Sequence, residues 1–113
     1  MMGEIICIAG SRDFHSRNMV EEYVNSLAVQ TVVVTGGAIG PDRWASWRAS
    51  QRKMFQVVFF PGWYVGPSAG PVRNTMMADY SDRLVAFWDG KSAGTKSCID
   101  AFKNLGKPVE VRK

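Results

Sequence analysis

The chain is poor in the residues that build disulfide frameworks and metal centres. Its 113 residues include two cysteines and one histidine. Cys7 falls in an apolar strand pattern and Cys98 in a helical pattern, so the pair lacks the short spacing of a metal knuckle. We therefore expect two reduced thiols, no metal site and no bound cofactor.

Long apolar runs and runs of like charge are also missing. No segment is long enough to span a bilayer, and the N-terminus lacks the basic start and apolar stretch of a signal peptide. We therefore expect a cytoplasmic protein with no membrane partner. Lys and Arg outnumber Asp and Glu by 14 to 10, and the net charge of +4 favours anionic partners in general. Because the basic residues are scattered along the sequence, we do not expect nucleic acid as a partner.

Apolar, β-branched runs alternate with amphipathic segments along the whole chain. The pattern predicts strands at residues 4–9, 31–35, 55–60, 83–88 and 108–112, with a loop over 62–70. It predicts helices at residues 16–27, 41–52, 71–80 and 95–105. Apolar strands that alternate with helices are typical of a parallel sheet covered on both faces. We predict one domain over residues 1–113, an α/β Rossmann-like fold with an open, mostly parallel five-stranded sheet.

Glycine-containing turns follow three of the predicted strands and precede helices. In open α/β sheets, ligands bind at the carboxyl ends of the strands, where backbone N–H groups and helix N-termini attract phosphate. The turns therefore predict a nucleotide-like small molecule as the ligand. The candidate ligand- or phosphate-binding residues in these turns are Gly10, Ser11, Arg12, Gly36, Gly37, Gly40, Asp42, Arg43, Asp89, Gly90, Ser92, Gly94 and Thr95.

A fourth candidate segment, which contains Gly70, Arg73 and Asn74, opens the third predicted helix. An arginine near a helix N-terminus opposes the helix dipole, so we interpret Arg73 as the partner of a bound anion and Asn74 as a ribose or phosphate contact. Asp42 also has a purely structural interpretation, since a carboxylate in the first helical turn favours the dipole. Arg43 is equally consistent with a solvated surface position.

The segment after the fourth strand is not a P-loop, because three residues rather than four separate Gly90 from Gly94. The catalytic residues of any reaction stay unknown, and Asp89 and Asp100 are the carboxylates closest to this turn. Aromatic residues near the turns either stack on a base or pack in the core, namely Phe14, Trp63, Tyr64 and Trp88. We expect a homo-oligomer, with Trp44, Trp47 and Trp63 as candidate interface residues.

Four stretches together resemble the motifs of the YspA-like branch of the SLOG superfamily. They are GSRDF at 10–14, GGAIGPDR at 36–43, AGPVRN at 69–74 and AFWDGKSAGT at 86–95. The resemblance implies a Rossmann-like fold and a nucleotide or nucleotide-derived ligand, such as an ADP-ribose-like species or a cyclic nucleotide. The superfamily includes LOG-type phosphoribohydrolases, molybdenum-cofactor carrier proteins, DprA and sensors of nucleotide-derived signals.

The LOG-type motif pairs an arginine with a methionine, which Arg73 and Met77 resemble, and then places a glutamate three residues after its threonine. In this sequence, Cys98 occupies the glutamate position, counted from Thr95. A thiol cannot replace a catalytic carboxylate. We therefore favour a binding protein over an enzyme, as a sensor, a carrier or a protein that sequesters a phage or bacterial defence signal. The alternatives are a nucleoside monophosphate phosphoribohydrolase and, ranked last, a DprA-like single-stranded DNA binder.

Overall fold

The computed structural model describes residues 3–62 and 66–113, and the described chain forms five parallel strands and four helices. The sheet has the strand order β3-β2-β1-β4-β5, which confirms the predicted α/β Rossmann-like fold. The elements are β1 (Ile5–Gly10), α1 (Arg17–Ser26), β2 (Val32–Thr35), α2 (Pro41–Gln51), β3 (Gln56–Val58), α3 (Ala69–Tyr80), β4 (Arg83–Phe87), α4 (Ala93–Asn104) and β5 (Val109–Arg112).

The strand order places β1 at the centre of the sheet, between β2 and β4. The chain runs outward from β1 to β3 and then returns to the other side of β1 to begin β4. This reversal creates a switch point, and open α/β sheets bind ligands at such points. The loops that follow β1 and β4 therefore meet at the carboxyl edge of the sheet, where Ser11 N–H donates a hydrogen bond of 2.9 Å to Phe87 O.

Alternating residues of β1 face two separate hydrophobic cores. Ile6 and Ile8 pack with residues of α1 and α2 on one face of the sheet. Cys7 and Ala9 pack with residues of α3 and α4 on the other face. Both faces of a parallel strand are buried in this way, which explains why the strands are apolar throughout instead of alternating with polar residues.

Several element boundaries differ from the predicted ones for local reasons. The fourth helix begins at Ala93 instead of residue 95, because Ser92 is the N-cap and its hydroxyl accepts from Thr95 N–H at 3.4 Å. The third helix begins at Ala69, two residues earlier than the proline that we took as its start. β3 ends at Val58, which pairs with Thr35 at the end of β2, so the ladder stops there.

In the part of the chain that the structure describes, no helix combines the length and the apolar character needed to cross a bilayer. Trp63 and Tyr64, two of the aromatic residues singled out in the predicted 62–70 loop, lie outside the described residues.

Candidate functional site

A cavity of about 410 Å³ opens at the carboxyl edge of the sheet, beside the end of β1. We call it the first cavity. Its wall comes from the end of β1 and the turn that follows it, from the turn before α2 and the first turn of that helix, and from α3 and the first half of α4. Half of the sixteen predicted ligand-binding residues line it, namely Gly10, Arg12, Asp42, Arg73, Asn74, Ser92, Gly94 and Thr95.

A second cavity of about 300 Å³ adjoins the first, and the two share Ala38 and Arg73 as lining residues. We call it the second cavity. Three further predicted residues line it, which are Gly36, Gly37 and Arg43. Phe60 and Pro61, which follow β3, complete the lining. The fold therefore brings eleven of the sixteen predicted residues to two adjoining cavities, and their ligand-binding role stays a prediction.

The other five predicted positions, all among the described residues, line neither cavity, and two of them, Ser11 and Asp89, hold the turns beside the cavities together. The buried Ser11 hydroxyl accepts a 3.0 Å hydrogen bond from Asp89 N–H, which ties the β1 turn to the β4 turn. Asp89 in turn accepts from the N–H groups of Lys91 and Ser92, both at 2.8 Å. These hydrogen bonds lower the pKa of Asp89, and the one from Ser92 N–H has the larger effect. The remaining three positions are Gly40, Gly70 and Gly90.

Asp42 is buried, with 4% of its surface exposed, in the first turn of α2. Its Oδ2 accepts from Gly36 N–H at 2.8 Å and from Ala38 N–H at 3.5 Å, so the carboxylate holds the turn that precedes its own helix. Burial raises the pKa of Asp42 to about 6, although these backbone donors and the Arg73 guanidinium act in the opposite direction. Asp42 is thus a carboxylate of the first cavity that titrates near neutral pH.

Arg73 lies in the second turn of α3, deeper in the helix than the predicted N-terminal position. Its Nη1 donates to Gly36 O at 2.6 Å and to Phe59 O at 3.3 Å, and its Nε donates to Asn74 Oδ1 at 2.8 Å. A Cβ at position 36 would overlap Arg73 Nη1, so the guanidinium occupies this place only while residue 36 is glycine. Arg73 therefore braces the loops after β2 and β3 while it also lines both cavities.

Asn74 connects α3 to the start of α4. Its Nδ2 donates to Ser97 Oγ at 3.2 Å and to Gly94 O at 3.4 Å.

The first turn of α4 has two amides, those of Ala93 and Gly94, that donate to no acceptor among the residues the structure describes. Such unpaired N-terminal amides are the groups that bind anions at helix N-termini.

The floor of the first cavity is rich in sulfur. Cys98 and Met77 line the cavity, and the Cys7 thiol lies behind them, 4.0 Å from Met77 Sδ. Interaction with the neighbouring Cys98 thiol, together with burial, raises the pKa of Cys7 well above its ordinary value. Both cysteines are free and buried. The position expected to carry the LOG-type glutamate therefore faces the cavity and presents a thiol.

The carboxylates that we considered for acid–base chemistry lie elsewhere. Asp89 is exposed at the β4 turn, and Asp100 is exposed on α4, where it forms an ion pair with Lys96 at 2.9 Å. Asp42 is the carboxylate found in the first cavity among the described residues. Sequence reasoning assigned Asp42 a helix-dipole role or a ligand contact, and the burial that perturbs its pKa follows from packing that the sequence does not display.

The aromatic residues also differ in what they offer to a ligand. Phe14 is buried in the core, edge-on to Phe87 at 5.5 Å between ring centroids. Trp88 is partly buried, and its Nε1 donates to Ser92 O at 3.1 Å. Among the described residues, Phe60 offers an exposed ring to the second cavity, and sequence reasoning missed it because we counted it as the end of a strand. Its position at the carboxyl end of a predicted strand, where ligands bind in this kind of sheet, was the signal that could have identified it.

Comparisons with known proteins identify the fold through solved structures. No family model matches the chain, and no curated protein matches it either. DNA processing protein A (DprA) from Streptococcus pneumoniae aligns with a TM-score of 0.82 and 19% identity, over 96% of this chain and 50% of that protein. The protein TM1055 aligns with a TM-score of 0.79 and 20% identity, over 95% of this chain and 72% of that protein.

DprA from Helicobacter pylori, described as having a unique single-stranded DNA binding mode, aligns with a TM-score of 0.74 and 18% identity. That alignment covers 97% of this chain and 65% of the H. pylori protein. The chain therefore spans half to two thirds of the length of the two DprA proteins. The predicted SLOG resemblance is confirmed as a shared fold, since these solved structures include DprA.

The same comparison corrects one prediction. We did not expect nucleic acid as a partner, and that expectation is wrong, because a protein with this fold binds single-stranded DNA. The error has a physical reason, because basic residues that are far apart along the sequence can lie close together in the fold. Arg12, Arg43 and Arg73 are far apart in the sequence, yet all three line the two adjoining cavities.

Proposed function

We propose that the chain binds a nucleotide or nucleotide-derived ligand, with a phosphate of that ligand in the first cavity. The observation that carries the proposal is the convergence of Arg12, Arg73 and the first turn of α4 on one space. A phosphate there accepts hydrogen bonds from the unpaired amides of Ala93 and Gly94 and compensates the charge of the guanidinium groups. The volume of about 410 Å³ lies within the usual range for small-ligand sites.

The contents of the cavity favour binding over turnover. Hydrolysis of a glycosidic bond in this fold would use a carboxylate where Cys98 stands, and a buried thiol neither donates a proton efficiently nor stabilises a glycosyl cation. Asp42, which does line the cavity, has its Oδ2 engaged by two backbone N–H groups. A role as sensor, carrier or sequestering protein for a nucleotide-derived signal is consistent with this lining.

Single-stranded nucleic acid is the second candidate ligand. Its support is the fold shared with the H. pylori DprA, whose single-stranded DNA binding is described. The chemistry required is the same at one position, since a phosphodiester presents anionic oxygens to arginines and backbone amides as a free nucleotide does. The two candidates differ in length and salt dependence, because a strand neutralises several cations at once.

Thermal denaturation with AMP, cyclic AMP, ADP-ribose, NAD or a twelve-residue oligodeoxyadenylate tests the proposal. A ligand at one hundred times its Kd stabilises the fold by about 2.7 kcal/mol, which raises the Tm of a domain of this size by on the order of 10 °C. Arg12→Ala is the informative variant, because the Arg12 side chain is exposed and hydrogen-bonds to no described residue. Its matched control is Arg17→Ala, which removes the same charge from the surface of α1.

We expect the ligand-induced rise in Tm to disappear in Arg12→Ala and to persist in Arg17→Ala. If none of these ligands raises the Tm of the wild-type protein, the proposed function is refuted. Chromatography of the AMP sample after long incubation addresses the enzymatic alternative, since a phosphoribohydrolase would release free adenine. An intact AMP peak is the result that the binding proposal requires.

A further inference from the structure

Phe60 combines strong exposure with a fixed position beside the site. It follows β3 at the carboxyl edge of the sheet, and 75% of its surface is exposed. Its ring lies against Gly37, where a Cβ would come within 2.6 Å of Phe60 Cε1, and Gly37 has a φ of +70° that side chains rarely adopt. Glycine at position 37 therefore supports one side of the ring and leaves the rest open to solvent.

Two cations border the same space. The Arg43 Nε donates to Gly37 O at 3.2 Å, which fixes the guanidinium at the rim of the second cavity. Arg73 lines both cavities and forms the boundary between them. Among the described lining residues of the second cavity, there is no acidic side chain, whereas the first cavity contains Asp42.

An exposed aromatic face flanked by arginines is the arrangement that binds a nucleobase together with its phosphate. Base–aromatic stacking is tolerant of sequence, and the arginines compensate the backbone charge. We propose that the second cavity is a subsite for a second nucleotide unit, whose base stacks on Phe60 and whose phosphate pairs with Arg43. This inference rests on the proposed function, because it presumes that the first cavity holds the first nucleotide.

The subsite identifies the ligand class as two phosphodiester-linked nucleotides that cross Arg73 from one cavity to the other. Such a unit occurs in a free dinucleotide and also at any position of a single strand. The chemistry recognised is the same in both cases, so the length of the probe must separate them.

The test measures the Kd of AMP, of the 5′-phosphorylated dinucleotide pApA and of a twelve-residue oligoadenylate with the same ribose sugars, at one low salt concentration. The variants are Phe60→Ala, Phe60→Trp and, as matched control, Phe55→Ala. Phe55 has the same residue type and the same 75% exposure, but it precedes β3 and so lies at the opposite edge of the sheet.

We expect wild-type protein to bind pApA about 10-fold or more tightly than AMP, which is the size of one stacking contact. The ratio of the Kd of AMP to the Kd of pApA falls towards one in Phe60→Ala and keeps its wild-type value in Phe60→Trp and in Phe55→Ala. If the oligonucleotide binds at least as tightly as pApA with the same dependence on Phe60, the physiological source is a strand. If pApA binds and the oligonucleotide does not, the source is a free dinucleotide.

Two results overturn the inference and leave the proposed function intact. One is AMP binding with no gain for pApA in the wild-type protein, and the other is a gain that persists in Phe60→Ala. The proposed function itself is refuted only if all three probes fail to bind the wild-type protein and no ligand of the thermal panel raises its Tm, so the two failures are distinguishable. Circular dichroism melts of each variant verify folding, and Phe60→Trp retains an aromatic ring if the alanine variant is destabilised.

Discussion

Replacement of Asp42 by asparagine should change how the stability of the protein depends on pH. Burial raises the pKa of Asp42 from 3.8 to about 6 in the folded protein. Each unit of pKa difference corresponds to about 1.4 kcal/mol. Relative to the unfolded chain, the folded state is therefore about 3 kcal/mol less stable when Asp42 is ionised than when Asp42 is protonated. The amide side chain of the Asp42→Asn variant would keep an oxygen that accepts from Gly36 N–H but would carry no charge.

The sign follows from the raised pKa. The folded state holds its proton more tightly than the unfolded chain does, so this contribution to stability is complete below pH 3.8 and is lost as the pH rises through about 6. Other titrating groups contribute equally to both proteins and cancel in the difference. The unfolding free energy of Asp42→Asn minus that of the wild type should therefore increase by about 3 kcal/mol from pH 3.5 to pH 7.5.

Urea denaturation at several pH values between these limits measures the difference directly. Asp100→Asn serves as the control, because Asp100 is exposed on α4 and its ion pair with Lys96 is of the weak surface kind. We expect the difference in unfolding free energy between this control and the wild type to stay constant with pH above pH 5. A flat difference for Asp42→Asn as well would refute the reasoning, since it would mean that burial does not penalise the Asp42 carboxylate.

Two further predictions concern α4 and the thiols. Ser92→Ala should lower the free energy of unfolding by about 1 kcal/mol, measured by urea denaturation, because it removes the N-cap acceptor of Thr95 N–H; an unchanged midpoint would show that the cap is not used. Iodoacetamide at pH 8 should label Cys7 and Cys98 far more slowly in the native protein than in urea, as followed by mass spectrometry, because both thiols are buried and the pKa of Cys7 is raised. Equal labelling rates would contradict the burial.

Much of the fold could be predicted from the sequence because the local signals agree with the tertiary structure. Every residue of the predicted strand at 31–35 is β-branched, and residues Val32–Thr35 form β2, in which all four are buried. Pro41 predicted the start of α2, since proline is well suited to the first helical position. The start of α4 was misplaced because Ser92 and Thr95 are both good N-caps, and only the hydrogen-bond geometry distinguishes them.

The candidate site was less predictable, because its properties depend on how distant segments pack. Asp42 follows a proline in a first helical turn, a context that usually exposes a carboxylate. Its burial arises only when the 36–43 turn folds back over it, and Gly36 N–H then becomes its partner. Phe60 continues the apolar pattern of β3, so no periodicity separates it from a core residue. Phe60 is exposed because β2 ends at Thr35, the partner of Val58, so the residues that follow β3 extend beyond the sheet.

The position of β1 at the centre of the sheet has a consequence for the order in which the protein becomes competent to bind. Arg12 and Asp42 belong to the first half of the chain, and Arg73 and Ser92 belong to the second half. The halves are joined through the pairing of β1 with β4, in which Gly10 is the partner of Phe87. Contacts between residues so distant in sequence are slow to form, since loop closure must precede them. The first cavity is therefore completed only after β1 and β4 have paired, and ligand binding reports chains in which the two halves have come together.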